Sequence, residues 1–135
     1  MIHVIRRLEY RVVIPGRPES FRSKKALAYK QAVRRFARQV LATPLPWEEL
    51  DVRIDYFHAG RRRFDMDNIA KCILDALNGV GYVDDVRVRL QSSEAHCLLG
   101  PVSLPAGPLD LVKPLRDHDE YVFVRVRDGR RRSRK

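Results

Sequence analysis

Hydrophobic and polar residues follow two different periods along the chain, and these periods predict its secondary structure. Alternation between apolar and polar residues predicts β-strands at residues 51–60 and 86–90. A run rich in β-branched residues that ends at Pro15-Gly16 predicts a strand at residues 3–14, and the run YVFVRVR predicts another at residues 121–127. Apolar residues at helical spacing predict α-helices at residues 24–42 and 67–77. This order of elements predicts an α+β domain, with a small mixed β-sheet of about four strands and two main helices.

The segments between these elements carry cap and stop signals. Ser20 or Ser23 is placed to cap the first helix. Asn78 and Gly79 end the second helix, and Gly79 suits the left-handed position that follows a helix. The proline-rich residues 100–114 predict a long loop before the last strand.

Length and composition limit the class of protein. The chain has 135 residues, which is enough for one hydrophobic core and too few for two ordinary domains. We expect one domain at residues 1–127 and a basic, flexible tail at residues 128–135. Two cysteines form no metal motif or disulfide framework, and no apolar run approaches the ~20 residues of a membrane helix. We therefore expect a cytoplasmic protein with reduced thiols and no membrane association.

The balance of charges indicates the kind of molecule that the protein binds. The chain holds 27 Lys and Arg against 17 Asp and Glu, a net charge of +10. The tail carries five cations and one anion, which leaves a net charge of +6 on the rest of the chain. Because the body stays basic without the tail, we expect a polyanionic partner such as nucleic acid.

Carboxylates stand next to cations in the run RRRFDMDNIAK, residues 61–71. If residues 63–67 are extended, Asp65 and Asp67 point to the same side, about 6.6 Å apart along the backbone. Two carboxylates at that spacing can bind one metal ion or bridge two. Lys71 follows Asp67 by four positions, so both project from one face of the predicted helix.

Two interpretations of this run stay open on spacing alone. In the first, Asp67 caps the helix and pairs with Lys71, which is worth ~0.2–0.5 kcal/mol. In the second, the acids join the later pair Asp84 and Asp85 in a metal site, provided that the chain brings this pair back. Three carboxylates within ~5 Å repel by roughly 3 kcal/mol per pair, so they need a cation or protons. Carboxylate ligands suit Mg²⁺ or Mn²⁺ rather than zinc.

A family resemblance bears on this choice. The run DMDNIAKCILDALNGVGYVDD, residues 65–85, resembles the signature of RusA-type Holliday junction resolvases, in which D-x-D-N-x-x-K is followed by LDALNG and a D-D pair. The segment IPGRPESFR resembles the Pro/Ser segment near the N-terminus of that family. The resemblance implies a RusA-like fold and an endonuclease that resolves four-way DNA junctions by paired symmetric nicks in recombination and repair. It also implies a homodimer with Mg²⁺ as cofactor, for which Mn²⁺ can substitute.

The resemblance also assigns roles to the acids and the lysine of this run. It implies that Asp65, Asp67 and Asp85 bind the metal and that Lys71 is a catalytic lysine. Asp84 is a further candidate ligand. Asn68 matches the motif, and helix capping is one role open to it.

Basic residues near the run are candidates for DNA contacts. The candidates are Arg61, Arg62 and Arg63 beside the acids, and Arg22, Lys24 and Lys25 in the N-terminal loop. Solvated surface cations are the alternative for all six. Two other functions stay open: a non-catalytic DNA-binding or architectural protein, and a related nuclease that prefers forks or flaps.

Overall fold

A four-stranded β-sheet with two α-helices forms the fold. The computed structural model describes residues 9–59, 63–98 and 120–129. In chain order the elements are β1 (Glu9–Pro15), α1 (Ala26–Val40), β2 (Leu50–His58), α2 (Met66–Leu77), a 3₁₀ turn (Asp85–Arg87), β3 (Val88–Cys97) and β4 (Tyr121–Asp128). The predicted α+β class is confirmed, including the mixed sheet and the two main helices.

The strands are ordered β1-β4-β2-β3 across the sheet. Strand β4 pairs antiparallel with both β1 and β2, whereas β2 and β3 are parallel. Parallel neighbours need a crossover connection, and α2 with the turn after it supplies this one. The chain that leaves α2 therefore comes back to the sheet beside β2.

The hydrophobic core lies between the helices and one face of the sheet, here called the helix face. Alternate residues of the strands supply it because side chains alternate across a strand. Its members include Val12, Ile14, Val52, Ile54, Tyr56, Val122, Val124, Tyr29, Val33, Ile69 and Ile73, all buried. The second face of the sheet carries a smaller aromatic cluster of Phe57, Tyr121 and Phe123.

Strand β3 is longer than its apolar pattern predicts. The prediction covered residues 86–90, but the strand runs on to Cys97. Residues 91–97 read QSSEAHC, without the alternation that predicts a strand. They are extended because β2 pairs with them along their length, from Asp51 opposite Leu90 to His58 opposite Cys97. Pairing with a neighbouring strand decides this element, rather than its own composition.

The helix ends agree in part with the prediction. Asn78 is the C-cap of α2, and Gly79 has the expected positive φ of 82°. At α1 the N-cap is Lys25, which makes no side-chain cap hydrogen bond, so the prediction that Ser20 or Ser23 caps the helix is wrong.

Some predicted features lie outside the described residues. They are residues 3–8 of the first predicted strand, the loop at 100–114, Arg61, Arg62 and residues 130–135 of the tail.

Candidate functional site

The exposed side of α2 forms one wall of a cavity of about 370 Å³. Asp67, Lys71, Leu74 and Asp75 line this wall. They stand at i, i+4, i+7 and i+8, which is one face of a helix. The opposite side of α2 is buried in the core, so packing of the helix orients its polar side into the cavity.

The second wall comes from the chain segment that follows α2. It consists of Asp85, Val88 and Gln91, from the 3₁₀ turn and β3. A tight loop makes this return possible, because the Tyr82 hydroxyl donates to the Leu74 carbonyl at 2.8 Å. The structure therefore brings Asp67, Lys71 and Asp85 to one cavity, a juxtaposition that periodicity left open.

Two hydrogen-bonded groups hold the 3₁₀ turn in place. The Asp84 carboxylate accepts from the Val86 amide at 3.1 Å and so caps the turn. The Arg87 guanidinium donates to the Trp47 carbonyl at 3.3 Å, in the loop before β2. Asp84 thus has a structural bond, while its neighbour Asp85 faces the cavity.

The electrostatics of the cavity are strongly acidic. Among the described residues, its lining holds three carboxylates, those of Asp67, Asp75 and Asp85, and one ammonium, that of Lys71, which gives these residues a formal charge of −2. Loss of hydration raises the pKa of Asp85, and the neighbouring carboxylates Asp84 and Asp75 raise it further. Its ionised form is therefore disfavoured unless a cation lies close to it.

Asp65 is the N-cap of α2. Its Oδ1 atom accepts from the amides of Asp67 at 3.0 Å and Asn68 at 3.4 Å, and its Oδ2 atom accepts from the Asn68 side chain at 3.1 Å. The extended geometry considered for residues 63–67 does not form, because the helix begins at Met66 and places Asp67 in its first turn. The cap is Asp65 rather than Asp67, and the cavity lining does not include it.

Phe21 supports the ammonium of Lys71. The Nζ atom of Lys71 lies 4.2 Å from the centroid of the Phe21 ring, a cation–π contact. The amide of Phe21 donates to the Asn68 carbonyl at 3.2 Å, which docks the N-terminal loop against the start of α2. Sequence reasoning assigned Phe21 no role, although its place within IPGRPESFR was the available signal.

Asp75 is a second residue that sequence reasoning missed. It lines the cavity, and its carboxylate lies 3.8 Å from the ammonium of Lys30 on α1. Its spacing was the available signal, because Asp75 stands eight residues after Asp67 and four after Lys71 on the same helix face.

Four of the predicted DNA-binding cations belong to the described residues, and the cavity lining includes none of these four. Those within the described residues are Arg22, Lys24, Lys25 and Arg63, all exposed. The guanidinium of Arg22 lies 5.7 Å from the centroid of the Phe21 ring, the ring that also contacts Lys71.

A second acidic group lies on the other face of the sheet. Donor atoms of Asp55, Glu94 and His96 come within 4.8 Å of one another, and by donor type the group is compatible with a divalent metal. The Arg53 guanidinium contacts both carboxylates at 2.9 Å, and that of Arg125 lies 3.7 Å from Asp55. We call these five residues the second-face network. Its two carboxylates are already balanced by two guanidiniums.

Asp55 and His96 form the buried part of the second-face network, and Glu94 is exposed. Asp55 is fully buried, and its Oδ1 atom lies 2.8 Å from Nε2 of His96. The His96 ring stacks on Phe57 with centroids 4.7 Å apart. Asp55 follows the core residue Ile54, so strand alternation directs it away from α2 and its cavity.

An α+β domain with an acidic cavity in a basic protein has the features of an enzyme that processes nucleic acid. The family model described as "Endodeoxyribonuclease RusA" matches residues 9–95, which is more than half of the chain and includes both walls of the cavity. The chain belongs to the RusA family, and this membership implies an endodeoxyribonuclease that acts on Holliday junctions. No curated protein sequence matches the chain. In the described part of the chain, no helix is long and apolar enough to cross a membrane.

Proposed function

We propose that the protein is a metal-dependent resolvase that makes paired, symmetric nicks in four-way DNA junctions during recombination and repair. Membership of the RusA family supports the endonuclease activity. The observation that carries the metal dependence is the cavity with a formal charge of −2, set in a chain with a net charge of +10. A basic protein surface attracts DNA, and an acidic cavity within that protein binds a cation.

The residues of the cavity fit a hard divalent cation. Asp67 and Asp85 offer carboxylate oxygens from opposite walls, and Gln91 offers an amide oxygen beside them. Oxygen donors of this kind match Mg²⁺ or Mn²⁺. The family implies Asp65 as the third ligand. Its three cap bonds leave one carboxylate lone pair unused, so the cap does not prevent it from binding an ion. When bound, the ion would lower the pKa of a coordinated water and stabilise the charge of the reacting phosphate.

The carboxylates alone would exclude the substrate. At ~6 Å and an effective dielectric of 20, each carboxylate repels a phosphodiester by about 3 kcal/mol. Neutralising Asp67 and Asp85 is therefore a condition for the scissile phosphate to enter the cavity. This requirement couples cutting to the presence of a cation, whatever the affinity of the basic surface for DNA.

Lys71 supplies the one positive charge that the described residues give to the cavity lining. Its ammonium is held over the Phe21 ring at 4.2 Å and projects from the same face of α2 as Asp67. In the proposed reaction it binds a non-bridging phosphate oxygen, where negative charge grows as the backbone is cut. The Phe21 ring keeps the ammonium away from the carboxylates by giving it another favourable contact.

Two nicks placed symmetrically require two active sites. A homodimer with two-fold symmetry presents two copies of the cavity to a junction whose arms are related by the same symmetry. Arg22, Lys24, Lys25 and Arg63 are the proposed phosphate contacts near each cavity, together with Arg61 and Arg62. We assign the second-face network a structural role, because a metal would have to displace Arg53 from Asp55 and Glu94.

Cleavage of labelled DNA tests the proposal. A mobile four-way junction, a replication fork, a flap and a plain duplex are each incubated with the protein, with Mg²⁺ and with EDTA. We expect paired nicks on the junction, in Mg²⁺ only, and a dimer by light scattering. Preferred cutting of forks or flaps would indicate the related nuclease, and junction binding without cutting would indicate an architectural protein.

A further inference from the structure

The surface of α1 that faces away from the core is strongly basic. Lys30, Arg34, Arg35 and Arg38 lie within Ala26–Val40, and this helix contains no acidic residue. These four residues are here called the basic face. The buried side of the helix is formed by Ala26, Tyr29, Val33 and Ala37.

Helix stability does not explain the basic face. Cations favour the C-terminal end of a helix, and Arg38 is the only one in the last turn of α1. Lys24 and Lys25 stand at the opposite end, where the helix dipole disfavours them. Like charges at i and i+4, as in Arg34 and Arg38, cost the helix about 0.2–0.5 kcal/mol per pair. The pattern lowers the stability of the helix, which indicates that these cations serve a ligand.

The inner part of the basic face is tied to α2. Lys30 lies 3.8 Å from Asp75, and Nε of Arg34 donates to the Ala76 carbonyl at 3.0 Å. Asp75 also lines the acidic cavity, so the basic face begins at the wall of the candidate active site. The two surfaces are continuous.

The outer part of the basic face is exposed, and no acid in the described part of the chain pairs with it. Arg35 and Arg38 are exposed and make no ion pair with any other residue that the structure describes. The Arg35 guanidinium lies 5.1 Å from the Phe36 ring, which orients it along the helix surface. Neighbours at i and i+3 have Cβ atoms about 5–6 Å apart, so the two guanidiniums can act on one strand.

The dimensions fit a nucleic-acid strand that leaves the cavity. Lys30 and Arg38 are separated by about 12 Å along the helix axis, at ~1.5 Å per residue. A DNA strand advances ~3.4 Å per phosphate along the duplex axis, so this length spans three to four phosphates. We infer that the basic face is a binding surface for a DNA arm, on which Arg35 and Arg38 hold backbone phosphates of the strand that leaves the cavity. This inference rests on the proposed function.

The test compares two double variants that remove equal charge from opposite faces of the sheet. Arg35→Gln/Arg38→Gln alters the basic face. Arg11→Gln/Arg127→Gln is the matched control, because both arginines pair with Glu9 on the second face. Binding to a four-way junction is measured without metal between 50 and 200 mM salt. Thermal melts check that both variants fold.

Loss of two phosphate contacts lowers the salt slope by about 1.8, since each contact contributes ~0.9. Between 50 and 200 mM salt, the basic-face variant should therefore lose about tenfold less affinity than the wild type. It should also bind more weakly at 50 mM, while the control keeps the slope and the affinity of the wild type.

Equal slopes for the wild type and the basic-face variant would overturn the inference, as would an equal fall in both double variants. Failure of the proposed function looks different. In that case the wild type itself fails to cut the junction in Mg²⁺, whatever the variants do to binding.

Discussion

Two acidic clusters lie on opposite faces of one sheet, and they differ in how their charge is balanced. Among the described residues, the lining of the cavity beside α2 sets three carboxylates against the ammonium of Lys71, and Lys30 from outside the lining pairs with one of them, Asp75. In the second-face network, Asp55 and Glu94 face two guanidiniums, those of Arg53 and Arg125. Both clusters offer ligands for a metal. Only the cavity has a deficit of positive charge that an added cation would relieve.

Burial sharpens this difference. Asp55 is fully buried, so its charge is tolerated only because the guanidiniums stay in contact with it. Asp67 is exposed and needs no permanent partner. Removal of one acid from each cluster should therefore change different properties. At the second face it should lower stability, and in the cavity it should lower activity.

The largest expected effect is on stability, at Asp55. Asp55→Asn should lower the free energy of unfolding by about 3–5 kcal/mol, because it leaves the largely buried guanidinium of Arg125 without the carboxylate that it faces. Urea denaturation measures this change. Asp67→Asn is the matched variant and should change stability by less than about 0.5 kcal/mol. Unchanged stability of Asp55→Asn with loss of Mg²⁺-dependent cutting would instead make the second-face network the metal site.

Cleavage activity should depend on the acids of the cavity and not on those of the second face. Asp67→Asn should lower the rate of junction cleavage by at least about 10²–10³-fold, the size of loss seen when one charge-stabilising group leaves an active site. Binding should stay equal or become tighter, since one negative charge near the phosphate is gone. A cleavage assay and a gel shift report the two effects. Asp51→Asn is the control, since it removes an acid from the second face, and comparable cleavage by both variants would refute the assignment.

Metal binding should distinguish the two clusters through a smaller change in the stability of the folded protein. A cation at ten times its dissociation constant stabilises the folded protein by about 1.4 kcal/mol. Thermal melts in Mn²⁺ or Mg²⁺ without DNA should show this gain in the wild type and in Glu94→Gln. Asp67→Asn and Asp85→Asn should lose it. If the gain disappears in Glu94→Gln alone, the second-face network rather than the cavity is the metal site.

Substitution of Phe21 should change kcat by a few-fold. A cation–π contact is worth about 0.5–1 kcal/mol at an exposed site, so Phe21→Leu should lower kcat by roughly two- to fivefold through misplacement of Lys71. Phe21→Tyr keeps an aromatic face and should restore kcat. If both variants lower junction binding and leave kcat unchanged, the ring serves the DNA surface rather than Lys71.

The smallest expected effect is a pH-dependent gain in stability at Asp85. Loss of hydration and the carboxylates of Asp84 and Asp75 raise the pKa of Asp85, so its ionised form opposes folding. This penalty is fully present above the raised pKa and vanishes below the ordinary value of 3.8, where both states are protonated. In EDTA, Asp85→Asn should raise Tm by roughly 1–3 °C at pH 7, and the gain should shrink towards pH 4. A gain independent of pH would assign the effect to something other than ionisation.

Much of the architecture was predictable from local sequence. Strong periodicity marked α1 and α2, and the Asn78-Gly79 pair ended α2 where expected. The alternation in β2 and the run YVFVRVR in β4 located two central strands of the sheet. These predictions succeed because helix faces, capping and strand alternation depend on residues that are close in the chain.

Other features depended on contacts between distant segments. The residues of β3 after position 90 carry no strand pattern, and they become a strand by pairing with β2. Asp85 reaches the cavity because the Tyr82 hydroxyl anchors the return loop on α2. The pairing of Asp55 with His96 joins residues 41 positions apart, which no local period can reveal.

The sequence by itself determined that the chain is a basic α+β domain with a motif of acids and a lysine at the start of a helix. The tertiary structure decided which acids share a cavity, since it assigned Asp65 to the cap and brought Asp75 and Asp85 beside Lys71. It also decided which acids have guanidinium partners. The reason is physical: a carboxylate looks the same in any sequence, and its chemistry depends on the charges and the solvent that folding places around it.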